Sequence, residues 1–158
     1  QAALGWTDGY HVLFPYAPDR AVKNYPRAEQ IVDAVGDRLH ADVSLHAVTG
    51  VPHEQMPTYY VAADALLLPS AHEGSPNAVK EALACNLPVV STPVGDVPER
   101  LDGVTPSGTA ETDAGLTSAL AAVLARDERS NGREQVFELT RDRTARELAA
   151  VYREVLDG

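Results

Sequence analysis

The sequence predicts an α/β protein built on a doubly wound parallel sheet with helices on both faces. Two observations carry that expectation. Short runs of nearly continuous apolar character, such as "DALLLPS" and "LPVVST", alternate with longer stretches of helical period, such as "RAEQIVDAVGDRL". Strands buried on both faces need this composition, because crossover helices cover each side of a parallel sheet. The chain is also long enough for one sizeable core, with 158 residues of which 44% are hydrophobic. Residues 1–158 therefore read as one domain.

Taken in order, "HVLFPYA" (11–17) reads as a strand ending at Pro15. "RAEQIVDAVGDRL" (27–39) places Ile31, Val32, Val35 and Leu39 on one face of an amphipathic helix. "ADVSLHAVTG" (41–50) is the next strand and "HEQMPTYYVAA" (53–63) a short helix. A strand over 64–70, a helix over 75–84, a strand over 87–92 and a brief helix over 95–101 follow. Asn86 ends the third of these helices, where a residue tolerant of the left-handed conformation is wanted. Residues 102–113 are turn-rich with one short edge strand, 113–127 form a helix, and 133–156 form one long helix or two broken ones.

Composition excludes several function classes. The net charge of −10 argues against nucleic acid or an anionic membrane face as the main partner. The longest apolar run is broken by Asp64 and ended by Pro69, too short to span a bilayer. No basic stretch followed by an apolar one resembles a secretory signal. A single cysteine, Cys85, suits a reducing compartment, so a cytoplasmic location is expected. The chain opens with Gln1, not Met, as an excised piece would. Two lysines against eleven arginines give the acidic, lysine-poor surface that salt-adapted proteins often show, and ordinary solubility charge accounts for it equally. The histidines and acids show no metal-ligand spacing, and the glycine-rich loops of dinucleotide enzymes and P-loop hydrolases are absent from the sequence.

In open sheets of this class ligands bind beyond the carboxyl ends of the strands. Four segments leave those ends: 18–25, 49–56, 70–77 and 92–99. The third, "SAHEGSPN", runs into a helix whose first residues are expected to be capped by Ser75 with Pro76 in the first helical position. Backbone N–H groups around 74–78 then form an anion site at the helix N-terminus. Glu73 stands just before that end and can accept hydrogen bonds from sugar hydroxyls. Glu81, on the helix itself, can meet a vicinal diol such as a ribose. Either acid alone is more simply a dipole partner or a solvated residue; the two around one Gly-Ser-Pro-Asn turn favour a binding role. Arg20 and Lys23 in the first segment suit a diphosphate, and they suit a pair of surface charges equally. Replacing both by alanine is expected to abolish diphosphate binding and to spare the fold. Lys80 reads as a surface residue. Asp96 and Glu99 fit a capping box, and Gly95 would let a ligand approach the backbone.

"EGSPNAVKE" followed by "ALACNLPVVSTPVGDVPE" resembles the signature of the retaining family 4 (group 1) glycosyltransferases, which have the two-domain, Rossmann-like GT-B fold. The resemblance covers residues 11 to 104 and includes the E-x7-E element at Glu73 and Glu81. It implies a nucleotide-sugar donor, with Arg20 and Lys23 on its diphosphate and Glu81 on its ribose. Glu73, in the catalytic position, and the backbone of Gly74, Ser75, Pro76 and Asn77 would hold the donor sugar and distal phosphate. It implies retention at the anomeric carbon with no cofactor and no essential metal. An N-terminal acceptor domain is not contained in this chain, so the fragment alone is expected to be inactive. Asp96 and Asn86 stand where the family often has glycine, and 41–56 is compressed, as if two family strands had become one. Two other readings compete: a non-catalytic sugar-nucleotide binding module, and half of a GT-B sugar-nucleotide epimerase.

Overall fold

The computed structural model describes residues 1–136. Five parallel strands form one sheet, β1 (Tyr10–Phe14), β2 (Val43–Ala47), β3 (Ala65–Leu68), β4 (Val89–Ser91) and β5 (Gly108–Thr109), in the order β2-β1-β3-β4-β5. Among the described residues six α-helices accompany them: α1 (Tyr25–Leu39), α2 (Met56–Ala62), α3 (Asn77–Ala84), α4 (Val97–Leu101), α5 (Asp113–Arg126) and α6 (Gly132–Val136). The expected α/β class with a parallel sheet is the class observed. The remainder of the helical tail expected over 133–156 lies outside the described residues.

The alternation of each strand divides the core in two. Val12 and Phe14 of β1, with Ala65, Leu67 and Val90, face α1 and α5. Leu13, Leu66, Leu68 and Val89 point the other way, onto Tyr60 of α2, Val79 and Leu83 of α3 and Val97 of α4. All four residues of β3 are fully buried, as the central position of a parallel sheet requires. β2 is half-exposed along its length because it pairs with β1 alone. It is also shorter than 41–50, and it is the one strand between Ala41 and Met56.

Local chemistry sets most boundaries. β1 stops at Phe14 because Pro15 has no N–H for the ladder. α1 starts at Tyr25, two residues before the expected start, since Pro26 fits the first turn of a helix. Asn86 adopts φ 54°, the left-handed conformation expected of it after α3. Thr112 caps α5 by accepting the Gly115 N–H at 3.1 Å.

Chain order reverses at β1, whose sequence neighbour β2 lies on one side and β3 on the other. This is the switch point at which loops diverge and leave a crevice at the strands' carboxyl ends.

Candidate functional site

A cleft of about 460 Å³ lies at that switch point. Three of the four segments singled out in the sequence contribute to it: 18–25 through Arg20 and Lys23, 49–56 through Thr49, Gly50 and Val51, and 70–77 through Glu73, Pro76 and Asn77. Met56 and Tyr60 of α2 close one side. Arg20, Lys23, Glu73, Pro76, Asn77 and Glu81 all contribute to the lining.

Lys23 is not the free surface cation that a loop lysine suggests. It sits at the end of a 3-10 turn over Ala21–Lys23 and is 5% exposed. Its Nζ donates to Glu73 Oε1 and lies 3.7 Å from the centroid of the Tyr16 ring. The Glu73 side chain is itself 10% exposed, so the two charges form a largely buried pair. The expectation that Lys23 can be removed without cost to the fold is therefore corrected. A buried ion stripped of its partner is strongly destabilising. Arg20, by contrast, is exposed at the mouth of the cleft, its guanidinium carbon 5.7 Å from the same Tyr16 ring. Burial, and next the Glu73 carboxylate, push the Tyr16 phenol well above its usual range, which keeps it neutral.

Glu81 sits on the cleft side of α3, a third exposed. Its Oε2 accepts a 2.7 Å hydrogen bond from the Tyr60 hydroxyl, and its Oε1 lies 3.9 Å from Nδ1 of the exposed His53. Tyr60 is buried, and burial followed by the bond to Glu81 raises its pKa far beyond the physiological range.

The turn between Glu73 and α3 differs from expectation in three ways. α3 starts at Asn77 with Pro76 in the cap position and no side-chain cap. Ser75 Oγ instead donates to Asp96 Oδ2 at 2.6 Å, across to the next loop. Asp96 does not form the expected capping box: its Oδ2 accepts from Ser75 and from Arg100 Nε at 2.9 Å, and its buried Oδ1 accepts no hydrogen bond among the described residues. Although burial alone would raise the Asp96 carboxyl, these two hydrogen bonds hold it below the usual range.

Gly95 has a structural part to play. It is not part of the cleft lining, and what approaches its backbone is this chain's own turn. It adopts φ +55°, and a Cβ there would stand 2.0 Å from the Gly74 carbonyl oxygen. The Gly74 oxygen accepts the Asp96 N–H at 2.9 Å, so the fourth strand-end segment supports the Glu73 turn from beneath. Gly74 and Ser75 are exposed and also lie outside the lining. Lys80 is half-buried and reaches back to the Ser75 carbonyl at 3.4 Å.

Sequence reasoning missed Tyr16, Tyr60 and Arg129. The first two had a signal, since each is an aromatic beside a segment already selected. Arg129 had none: its guanidinium donates to the carbonyls of Ala63 (2.7 Å), Tyr60 (3.1 Å) and Cys85 (3.0 Å), tying the ends of α2 and α3 together. Among the described residues no group of His, Cys, Asp and Glu side chains is placed to hold a metal ion. Among the same residues, no helix is long and apolar enough to cross a membrane.

Residues 22–126, more than half of the chain, match the model of the family described as "Glycosyl transferases group 1". The chain belongs to that family. It is 53% identical over 53 residues to TuaC of Bacillus subtilis (strain 168), whose name assigns it provisionally to teichuronic acid biosynthesis as a glycosyltransferase. That match takes in 33% of this chain and 14% of TuaC. A 2-deoxystreptamine N-acetyl-D-glucosaminyltransferase of Streptomyces fradiae is 35% identical over 94 residues, covering 59% of this chain and 22% of the relative. Sucrose-phosphate synthase from Thermosynechococcus elongatus shares the fold with a TM-score of 0.69 at 23% identity, over 99% of this chain and 48% of that one. The matched regions thus span less than a quarter of these curated relatives, and the chain spans about half of the solved structure.

Proposed function

We propose that this group 1 glycosyltransferase chain is the donor-binding half of a retaining, metal-independent enzyme and takes a nucleoside diphosphate sugar in the cleft at the β1/β3 switch point. One observation carries the reading. Arg20 and Lys23, from one segment, and Glu73, Asn77 and Glu81, from another distant in sequence, line one cleft at the carboxyl ends of the strands. Arg20 and Lys23 take the diphosphate, Glu81 the ribose diol, and Glu73 with the start of α3 the donor sugar and distal phosphate.

The charges of the cleft are balanced, with two cations against two carboxylates among the lining residues. Lys23 already donates to Glu73, so the exposed Arg20 carries the first share of the phosphate charge. The N–H groups at the start of α3 and the remaining protons of Lys23 carry the rest. As the glycosidic bond to the leaving phosphate breaks, charge builds on the diphosphate oxygens. Fixed cations and a helix N-terminus stabilise that charge with little reorganisation, which is the role a divalent metal serves elsewhere. Retention and metal independence rest on the E-x7-E resemblance together with this arrangement. The acceptor is bound by a separate N-terminal domain, in keeping with the partial span of the relatives.

Calorimetric titration of this chain with UDP, GDP and ADP tests the reading. Saturable binding of one nucleotide, weakened at least about tenfold in Arg20→Ala, is the expected result. Unchanged affinity in that variant would move the phosphate site elsewhere.

A further inference from the structure

We propose that Tyr60 is a positioning residue that makes the cleft select ribonucleotides over deoxyribonucleotides, by holding Glu81 ready to receive a ribose diol. The inference rests on the donor-binding reading above and adds a determinant to it.

A glutamate on a helix surface samples several rotamers, and a carboxylate that wanders discriminates poorly between a hydroxyl and its absence. Glu81 is restrained from behind. The Tyr60 ring is 1% exposed, packed in the core layer with Leu13, Val79 and Leu83, so its hydroxyl is a fixed point. That hydroxyl lies 2.7 Å from Glu81 Oε2. Tyr60 stays protonated, so it must donate and Glu81 must accept. Glu81 lines the cleft, and the hydrogen bonds among the described residues leave its Oε1 free, with only the exposed His53 at 3.9 Å. An ionised carboxylate accepts and never donates, so it rewards a ligand that presents hydroxyl donors. A deoxy position offers nothing to accept from.

The clamp extends one step further. Tyr60 is on α2 and Glu81 on α3, and their separation depends on how those helices sit together. Arg129 donates to the Tyr60 and Ala63 carbonyls of one helix end and to the Cys85 carbonyl of the other. One planar guanidinium thus sets the spacing across which the phenol reaches the carboxylate.

The test compares the bound nucleoside diphosphate with its 2′-deoxy and 3′-deoxy forms by calorimetry. The parent chain, Tyr60→Phe, Glu81→Gln and the double variant are measured, each with its urea midpoint. The parent is expected to favour the ribonucleotide by about tenfold or more, a charged hydrogen bond's worth of affinity. Tyr60→Phe should cut that preference to within about threefold while leaving deoxynucleotide affinity unchanged, and in the Glu81→Gln background it should add nothing. A preference that survives in folded Tyr60→Phe overturns the inference and leaves the donor-binding reading standing. Equal weakening of ribo and deoxy forms also overturns it, because a mere packing role behaves that way. Should Tyr60→Phe not fold, Arg129→Lys, which keeps the charge but not the fork that joins the ends of α2 and α3, is expected to lower the preference likewise, and an unchanged preference there is equally fatal. If the parent binds no ribonucleotide at all, the donor-binding reading falls and this inference falls with it.

Discussion

Removing the Lys23 side chain tests the buried ion pair most directly. Lys23→Ala deletes the ammonium that Glu73 Oε1 accepts from, and leaves a carboxylate whose side chain is 10% exposed without that partner. An uncompensated buried charge of this kind costs about 3–5 kcal/mol. The cation over the Tyr16 ring is lost in the same step and is part of that figure, not an addition to it. Replacing both partners by neutral side chains of similar size, Lys23→Met with Glu73→Gln, removes the charge along with its partner. The double variant should therefore lie within about 1 kcal/mol of the parent, with a coupling energy of at least about 2 kcal/mol when set against Lys23→Met and Glu73→Gln alone. Urea unfolding followed by circular dichroism reads this, with unchanged m-values confirming that the unfolded state is comparable. A cost below about 1 kcal/mol for Lys23→Ala, at unchanged m, would mean that water solvates Glu73 as well as the lysine does, and the argument from burial would be wrong. The result also decides how donor binding is probed. For the proposed diphosphate site Arg20→Ala is the cleaner probe, because Arg20 is exposed, whereas a variant lacking Lys23 is expected to lose stability as well.

Two further outcomes are expected. Gly95→Ala forces a side chain into a left-handed conformation with its Cβ 2.0 Å from the Gly74 oxygen; it should cost about 2–5 kcal/mol by urea unfolding, and a loss under 1 kcal/mol would show that the Glu73 turn yields freely. His46 stacks on Trp6 at 3.9 Å and shares a 2.9 Å hydrogen bond with His11, and burial, then His11, lower its pKa below 6.5. The folded protein thus favours neutral His46, so its contribution to stability is complete above about pH 6.5 and is lost as pH falls toward the lower native value. The urea midpoint of the parent should drop from pH 7 to pH 5 more steeply than that of His46→Gln, and parallel curves would exclude His46 as the source.

Much of the architecture follows from local pattern. The apolar runs around β1, β3 and β4 had to be strands buried on both faces, because each is too short for a helix and lacks a polar side. Pro15, Pro26 and Asn86 mark boundaries through backbone chemistry that needs no tertiary partner. The spacing of Glu73 and Glu81 around a turn, at the exit of a strand, was enough to locate the cleft's acidic side.

What lies in between was decided by contacts across long sequence separations. Lys23 and Glu73 are 50 residues apart, and nothing near either one says that a loop lysine will be buried against an acid. Ser75 reads as a helix cap until Asp96, 21 residues on, takes its hydroxyl. Gly95 reads as room for a ligand until the sheet brings Gly74 over it. Arg129 reaches Ala63 across 66 residues to join two helices that the sequence presents as separate. Local sequence by itself determined the strands, most helix ends and the two acids that line the cleft, because propensity and periodicity act within a few residues. Only the packing of the layers decided which charges are paired, which oxygens are free and which backbone atoms touch, because those depend on where distant segments meet.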